Sequence, residues 1–267
     1  MKALRCLLVV LALGAVLPIA VPSALAQKSV PPPADTTFTP AQPKDIHTRA
    51  QLHTELGSLY FQGGNLIVAL EELTIAIAIN PNYAPAYSTR GLVLYHVREL
   101  ASAEKDFRRA IELDNRDPEI SNNFGWFLCQ IGKEKESIAH FERALKNPMY
   151  QTPETANLNA GTCYLKAGDV AAAEDSIRRS LRFSPENPQA LYQLALINYR
   201  RANYDAAAEH LNKVVRLSDP SAETLWLSLR VQRRLGDTQA ESSSAAQLRR
   251  KFPDSPEYQE LIKGNFQ

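Results

Sequence analysis

One residue position recurs along this chain at a nearly constant interval and is small in all but its last occurrence. The positions are Gly57, Gly91, Gly125, Gly161, Ala195 and Leu229. The successive intervals are 34, 34, 36, 34 and 34 residues. A period of about 34 residues is typical of stacked helix–turn–helix units, in which a small side chain lets two antiparallel helices approach closely. The sequence therefore predicts a helical solenoid, and with it a protein that binds a partner.

Two further positions repeat in the same register. A second small residue follows twelve positions later, and a bulky apolar residue follows four positions after that. The pairs are Ala69 and Leu73, Ala103 and Phe107, Ser137 and Phe141, Ala173 and Ile177, and Ala207 and Leu211. The sixth unit keeps the spacing but not the residue sizes, since the two positions hold Glu241 and Ala245. We predict an all-α tetratricopeptide-repeat superhelix (solenoid) of six helix-turn-helix repeats, closed by a short C-terminal capping helix from Ser255 to Lys263.

Proline and cap residues predict where helices start. A side-chain acceptor followed by proline suits the cap and first helical position, because proline lacks only an N–H group that has no partner there. Such pairs are Asp117-Pro118, Thr152-Pro153, Asn187-Pro188, Asp219-Pro220 and Ser255-Pro256. The predicted helix starts agree with the repeat register.

The N-terminal part of the chain is unlike the repeats. Lys2 and Arg5 precede an apolar run from Cys6 to about Ala20, and Ala24-Leu25-Ala26 follows it, a small-x-small pattern that signal peptidase accepts. We predict a signal peptide over 1–26, a proline-rich flexible linker over 27–47 and the repeat domain over 48–267. The alternative, an uncleaved anchor, is disfavoured because Pro18 and Pro22 interrupt the apolar run.

Charge and motif content argue against several function classes. Two of the 30 basic residues lie in the predicted signal, so the mature chain carries 28 basic and 29 acidic residues, a balance unlike that of nucleic-acid binders. The histidines show no metal-ligand spacing, and no phosphate loop or nucleophile motif occurs. They are His47, His53, His96, His140 and His210. We expect no nucleic acid, metal, cofactor or catalytic residue, and no enzyme.

Helical geometry predicts where a partner binds. In such a stack, the first helices of the units line a concave groove, and the positions near the small residue on one helical stripe point into it. The predicted groove residues are Leu92, Tyr95, Asn122, Trp126, Leu165, Tyr192, Leu196 and Tyr199. An apolar peptide or helix is the expected ligand. The alternative is that these side chains pack as ordinary core.

The same side of the stack becomes basic toward the end of the chain. The residues of this predicted rim are Lys166, Arg200, Arg230, Arg233 and Arg234. An acidic segment could be bound there through charge-assisted hydrogen bonds, and solvated surface charge is the alternative.

Two cysteines remain after the signal is removed. Cys129 and Cys163 lie in the first helices of adjacent repeats, which pack side by side, so a disulfide between them is one interpretation in an oxidising compartment. Two buried thiols that never bond are the other.

Specific runs of sequence resemble the PilF/PilW type IV pilus biogenesis proteins. The runs are Asn122 to Cys129, Lys135 to Ile138, Ala144 to Pro148, Leu158 to Cys163 and Leu248 to Pro253. The resemblance spans about residues 48 to 258, and it includes the family's pair of cysteines, which favours the Cys129–Cys163 disulfide.

The resemblance implies a pilotin, a periplasmic protein at the inner face of the outer membrane that assists the pilus secretin, or other pilus machinery, in localisation, multimerisation or pilus stability. Twitching motility would depend on it. Many members are lipoproteins, but Cys6 precedes the apolar run here and no lipobox is found, so the lipid anchor is in doubt. A generic periplasmic adaptor for another envelope complex is the alternative function. We expect a monomer.

Overall fold

The computed structural model describes residues 45–266, which form α-helices connected by short turns. The helices of the first three repeats are α1 (Ile46–Gln62), α2 (Leu66–Ile79), α3 (Ala84–His96), α4 (Leu100–Leu113), α5 (Pro118–Gln130) and α6 (Glu134–Leu145). The remaining helices are α7 (Pro153–Lys166), α8 (Val170–Phe183), α9 (Pro188–Arg200), α10 (Tyr204–Leu217), α11 (Ala222–Leu235), α12 (Thr238–Lys251) and α13 (Pro256–Lys263). Six helix pairs and a final short helix confirm the predicted all-α repeat architecture over this part of the chain.

The predicted domain boundaries lie mostly outside the described residues. The signal segment 1–26 and linker residues 27–44 are not covered. Helix α1 begins at Ile46, two residues before the predicted start of the repeat domain, because the Asp45 side chain caps it by accepting a hydrogen bond from the Thr48 N–H at 2.9 Å.

Four of the five predicted proline starts are found. Asp117, Asn187 and Ser255 accept hydrogen bonds from the first turns of α5, α9 and α13. Thr152 precedes α7 without a side-chain cap. Because the cap and the proline act locally, these boundaries depend little on the rest of the fold.

The prediction that a helix starts at Asp219-Pro220 is wrong. Helix α11 begins at Ala222, and Ser221 is its cap, with Oγ accepting from the Thr224 N–H at 3.2 Å. Pro220 is buried in the connection instead, and Asp219 forms an ion pair with Lys251 of α12 at 2.5 Å. The serine cap lies two residues further along and serves α11 in place of the aspartate.

The two helices of a repeat interlock at the recurring glycine. A Cβ atom built on Gly91 would lie 2.9 Å from the Phe107 ring, and one on Gly161 would lie 2.5 Å from Ile177 Cγ1. Phe107 and Ile177 are fully buried. In the third repeat, Ser137 Oγ donates a 2.7 Å hydrogen bond to the Gly125 carbonyl. The helices therefore touch at the backbone of the first helix, which explains why the position selects glycine.

The turn inside each repeat requires a left-handed residue. Glycine meets this requirement in four repeats, at Gly64, Gly132, Gly168 and Gly236, where φ lies between 75° and 84°. Arg98 and Ala202 adopt the same conformation, with φ of 68° and 58°. A side chain at such a backbone position costs free energy because Cβ crowds the neighbouring carbonyl oxygen.

We expect Ala202→Gly to raise the free energy of unfolding by about 0.5 kcal/mol, since relief of left-handed strain exceeds the added entropy of the unfolded chain. The reverse change, Gly168→Ala, should lower it by about 1 kcal/mol. Urea unfolding followed by circular dichroism measures both. Ala139→Gly, in the exposed middle of α6, is the control and should destabilise by about 1 kcal/mol. Destabilisation by Ala202→Gly would contradict the prediction.

The helices form two layers. First helices of neighbouring repeats contact each other in the pairs α1–α3, α3–α5, α5–α7 and α9–α11, whereas the second helices of neighbouring repeats are more widely separated. The first helices thus line the inner side. Helix α13 packs on α11 and α12 and caps the end of the stack, as predicted. Within the described residues, every helix is too short or too polar to cross a membrane.

Candidate protein-binding surfaces

Seven of the eight predicted groove residues lie half-buried along the inner side. We call them the inner stripe: Leu92, Tyr95, Trp126, Leu165, Tyr192, Leu196 and Tyr199. Each packs against a buried cluster beneath it and keeps part of its surface exposed. The inner stripe therefore contributes to the core on one side, and its contact with a partner on the other stays a prediction.

Asn122 differs from the prediction. Its side chain is buried at 3% exposure, and its Oδ1 accepts a 3.0 Å hydrogen bond from Asn159 Nδ2 of the next first helix. Asn123 forms a similar link in the other direction, from Nδ2 to Ser88 Oγ at 3.3 Å. The asparagine pair joins neighbouring repeats, so Asn122 is not available to a partner.

Aromatic rings connect the first three repeats on the inner side. The Tyr95 and Trp126 ring centroids lie 4.8 Å apart at 77°, and His96 stacks on Trp126 at 6.2 Å. Phe61 contacts His96 edge-on at 5.1 Å. These residues come from three successive first helices. Tyr95 and His96, four and five residues after Gly91, both meet Trp126, one residue after Gly125 in the next repeat. The result is a continuous aromatic patch.

The fifth repeat carries a second aromatic group. Tyr192, Leu196, Tyr199 and Tyr204 pack over the buried Ala195 and Leu211 cluster. Burial raises the pKa of the Tyr192 hydroxyl, with a smaller contribution from the Glu223 carboxylate. The hydroxyl is therefore a neutral hydrogen-bonding group at physiological pH.

Three of the five residues of the predicted basic rim contact other side chains of the protein. Lys166 donates to Gln130 at 2.9 Å, Arg233 forms an ion pair with Glu241 at 3.0 Å, and the Arg230 guanidinium lies 4.5 Å from the Tyr199 ring centroid. For Arg200 and Arg234, no ion pair forms with any residue from 45 to 266. Binding of an acidic segment at the rim stays a prediction, and Arg230 and Arg233 of α11 already pack on aromatic rings.

The two cysteines face each other across α5 and α7. Their Cα atoms lie 5.8 Å apart, the separation usual for a disulfide, and the sulfur atoms are within bonding distance. Cys129 and Cys163 are both buried in a cluster with Phe141 and Ala160. This geometry is compatible with the predicted bridge, whose formation in the cell stays a prediction.

Oxidised protein is expected to be more stable than reduced protein by about 2–3 kcal/mol, because a bridge across 34 residues restricts the unfolded chain. The measurement is urea unfolding with and without dithiothreitol, after mass spectrometry has established the oxidation state. A Cys129→Ser/Cys163→Ser variant is the control and should not respond to dithiothreitol. An equal stability of both states in the unaltered protein would contradict the prediction.

A second apolar surface, which the sequence analysis missed, lies at the start of the stack. We call it the N-terminal face: Leu52, Leu56, Leu59 and Tyr60, all on α1. Their exposures are 44%, 42%, 62% and 41%. The spacing of four, three and one places them on one side of the helix. Four large apolar side chains in a row are more than the scattered exposed leucines of an ordinary surface.

The N-terminal face has a buried counterpart in the third repeat. At the same positions relative to the small residue, α5 carries Ile120, Phe124, Phe127 and Leu128, all at most 2% exposed because α4 and its neighbours cover them. Within the described residues, no helix precedes α1. The register of the repeats could have revealed this surface, since the first unit keeps the apolar side chains that later units use to bind the unit before them.

The outer side of the first two repeats has a groove. A cavity of about 960 Å³ lies between α2, α3 and α4, with Leu70 and Leu94 in its wall. At its edge, Arg90 donates to both oxygens of the buried Asp106 at 2.6 and 2.9 Å. This pair fastens α3 to α4. Residues 45–266 contain no group of three or more potential metal ligands.

Comparison with known proteins supports the repeat assignment. The tetratricopeptide-repeat family model matches residues 54–118, 130–188 and 164–222. The type IV pilus assembly protein PilF of Pseudomonas aeruginosa is 27% identical over 209 residues, which cover 78% of this chain and 83% of PilF.

Solved structures agree with the sequence comparison. PilW, described as a widely conserved type IV pilus biogenesis factor, is 32% identical with a TM-score of 0.74, over 80% of this chain and 98% of PilW. The structure of Pseudomonas aeruginosa PilF is 26% identical with the same TM-score, over 82% and 99% of the two chains. The repeat architecture and these similarities together show that the chain belongs to the PilF/PilW family of tetratricopeptide-repeat proteins.

Proposed function

We propose that this protein is a cell-envelope scaffold in type IV pilus biogenesis, which binds subunits of the pilus secretin and assists their localisation or multimerisation in the outer membrane. The names of its relatives, a type IV pilus assembly protein and a pilus biogenesis factor, support the process. The observation that carries the binding role is the N-terminal face, four apolar side chains left without a covering helix in the described residues.

The geometry of the N-terminal face favours a helical partner. In the third repeat, the equivalent side chains pack on α4, the second helix of the preceding repeat. A partner helix with small and apolar residues along one side could take the corresponding place against α1. Burying four apolar side chains would stabilise the complex by several kcal/mol before the entropy cost of association, at about 25 cal/mol per Å² of apolar surface.

The inner stripe supplies a second contact area. Its aromatic floor extends from Tyr95 and Trp126 toward Tyr192 and Tyr199, so an extended or helical partner segment could lie along the first helices. Tyrosine and tryptophan at the centre of an interface often carry much of the binding energy. A rigid scaffold of this kind loses little conformational entropy when it binds.

Binding of an unassembled subunit would act by mass action. A scaffold that binds the unassembled form lowers the concentration of free subunits with exposed apolar surface, and hence their aggregation. Release follows when subunit–subunit contacts replace the contacts with the scaffold. The predicted signal peptide supports export to the periplasm. Within that compartment, the proposed location is the inner face of the outer membrane.

Deletion of the gene in its native host tests the proposal. The expected result is loss of the detergent-resistant secretin multimer in outer-membrane fractions, with the monomer retained, and return of the multimer on complementation. A normal multimer with missing pili would contradict the role in secretin assembly and indicate a later role in pilus stability. A normal multimer with normal pili would refute the pilus function and favour an adaptor for another envelope complex.

A further inference from the structure

The inner side of the sixth repeat is occupied by an aromatic side chain of the same chain. Phe266, which follows α13, stacks on Trp226 of α11 with ring centroids 5.7 Å apart and planes at 29°. The Arg233 guanidinium covers the same Phe266 ring, with Cζ 3.8 Å from its centroid. Trp226 and Arg233 occupy the same register positions as Tyr192 and Tyr199, one repeat earlier, in the inner stripe.

The residues around Phe266 form a shaped subsite. Arg233 is held in place by Glu241 of α12, which accepts from its Nη1 at 3.0 Å. Arg230 lies over the Tyr199 ring at 4.5 Å and over the Trp226 ring at 5.9 Å, and so connects the subsite to the fifth repeat. A tryptophan below and a positioned guanidinium above suit an aromatic ring, through stacking and cation–π attraction.

The segment that carries Phe266 is weakly held. Helix α13 has eight residues, none of them buried, and it is fastened to the stack by Tyr258 and Leu261. Gly264 ends the helix with φ of 70°, and the Asn265 N–H donates back to the Glu260 carbonyl at 3.0 Å. Phe266 lies beyond this last bond, so rotation about the backbone between Asn265 and Phe266 could withdraw the ring while Tyr258 and Leu261 stay packed. Contacts with so little burial belong to the least stable part of a fold.

We propose that the sixth repeat contains a binding subsite for an aromatic side chain of a partner segment, formed by Trp226, Arg233 and Glu241, and that Phe266 fills it in the free protein and exchanges with the partner's ring. The proposal rests on the proposed function, in which the inner side binds a partner segment. It adds that one side chain of that segment is aromatic and binds at this subsite. Because Phe266 is tethered, its effective concentration at the subsite is on the order of millimolar, so it competes with weak ligands and yields to strong ones.

The test uses the purified mature protein and a fluorescein-labelled peptide that copies residues 260–266, ELIKGNF. Fluorescence anisotropy gives the dissociation constant for the unaltered protein and for Phe266→Ala. We expect Phe266→Ala to bind the peptide at least tenfold more tightly, because the competing ring is gone. The same peptide with its phenylalanine replaced by alanine should bind neither protein. Adding Arg233→Gln to Phe266→Ala should weaken binding about fivefold.

Two controls separate exchange from a general effect on the cap. Ile262→Ala changes an exposed residue of the same segment and should leave peptide binding as in the unaltered protein. Circular dichroism should show Phe266→Ala to be as helical as the parent. Equal affinity of both proteins, or no binding to Phe266→Ala at about 1 mM peptide, would overturn the proposal. The assay contains no pilus component, so its failure would not contradict the pilus function. Normal pili after gene deletion would contradict the pilus function but not the subsite.

Discussion

Gly161→Leu and Ile177→Ala are each expected to destabilise the protein by about 3 kcal/mol, whereas the two changes together should cost little more than either alone. The first places side-chain atoms where a Cβ would already lie 2.5 Å from Ile177 Cγ1. The second leaves a cavity at a fully buried position facing a glycine. In the double variant, the new leucine fills the space that the isoleucine vacates.

The sixth repeat is the precedent for this exchange. There the small position holds Leu229, fully buried, and the position of Ile177 is taken by Ala245, so the sizes are reversed. Rescue should be incomplete, because the built Cβ of Gly161 also lies 3.1 Å from the Ala173 carbonyl oxygen, which belongs to the backbone. We expect a coupling energy of about 3 kcal/mol from urea unfolding of the four proteins in the cycle.

A distant pair is the control for the cycle. Leu73→Ala creates a similar cavity in the first repeat, and its effect should add to that of Gly161→Leu, since the sites share no contacts. Additive losses for Gly161→Leu and Ile177→Ala would show that the two positions do not compensate in volume, and would contradict the close contact of the two helices at Gly161.

The fold was predictable because it depends on local, repeated signals. The small-to-large pairs and the caps at Asp117, Asn187 and Ser255 determine helix positions without reference to distant residues. The start of α11 was not predictable in this way, because Asp219 and Ser221 are both residue types that cap helices. In the fold Ser221 is the cap, Pro220 is buried and Asp219 pairs with Lys251. The left-handed turns at Arg98 and Ala202 also depart from the glycine that the other four repeats would predict.

The sequence predicts which residues of the candidate site share one side of a helix, but not how exposed each side chain is. Helical periodicity places Asn122 and Trp126 on the same stripe, yet Asn122 is buried by its hydrogen bond to Asn159 and Trp126 is half-exposed. Exposure depends on the size of the neighbouring side chains, which a single helix does not specify. Similarly, Arg233 belongs to the predicted basic rim, but its guanidinium packs on the ring of Phe266, 33 residues further along the chain.

Leu56→Glu combined with Leu59→Glu is expected to weaken the proposed binding to secretin about a hundredfold, while the free energy of unfolding changes little. The two leucines are 42% and 62% exposed, so glutamate meets water in the free protein. In a complex that covers the N-terminal face, the same change removes two apolar contacts and buries two carboxylates without partners. The complex therefore loses stability that the free protein does not.

The measurement is binding of the purified variant to detergent-solubilised secretin monomer, together with the amount of secretin multimer in the native host. Leu100→Glu is the matched control, since Leu100 is 41% exposed but lies at the start of α4, outside the N-terminal face. It should bind and support assembly normally. Normal binding by the double variant would exclude the N-terminal face as the docking surface and leave the inner stripe as the candidate. Loss of binding in both the double variant and Leu100→Glu would indicate a general sensitivity to added negative charge, because the two variants share only the change from leucine to glutamate.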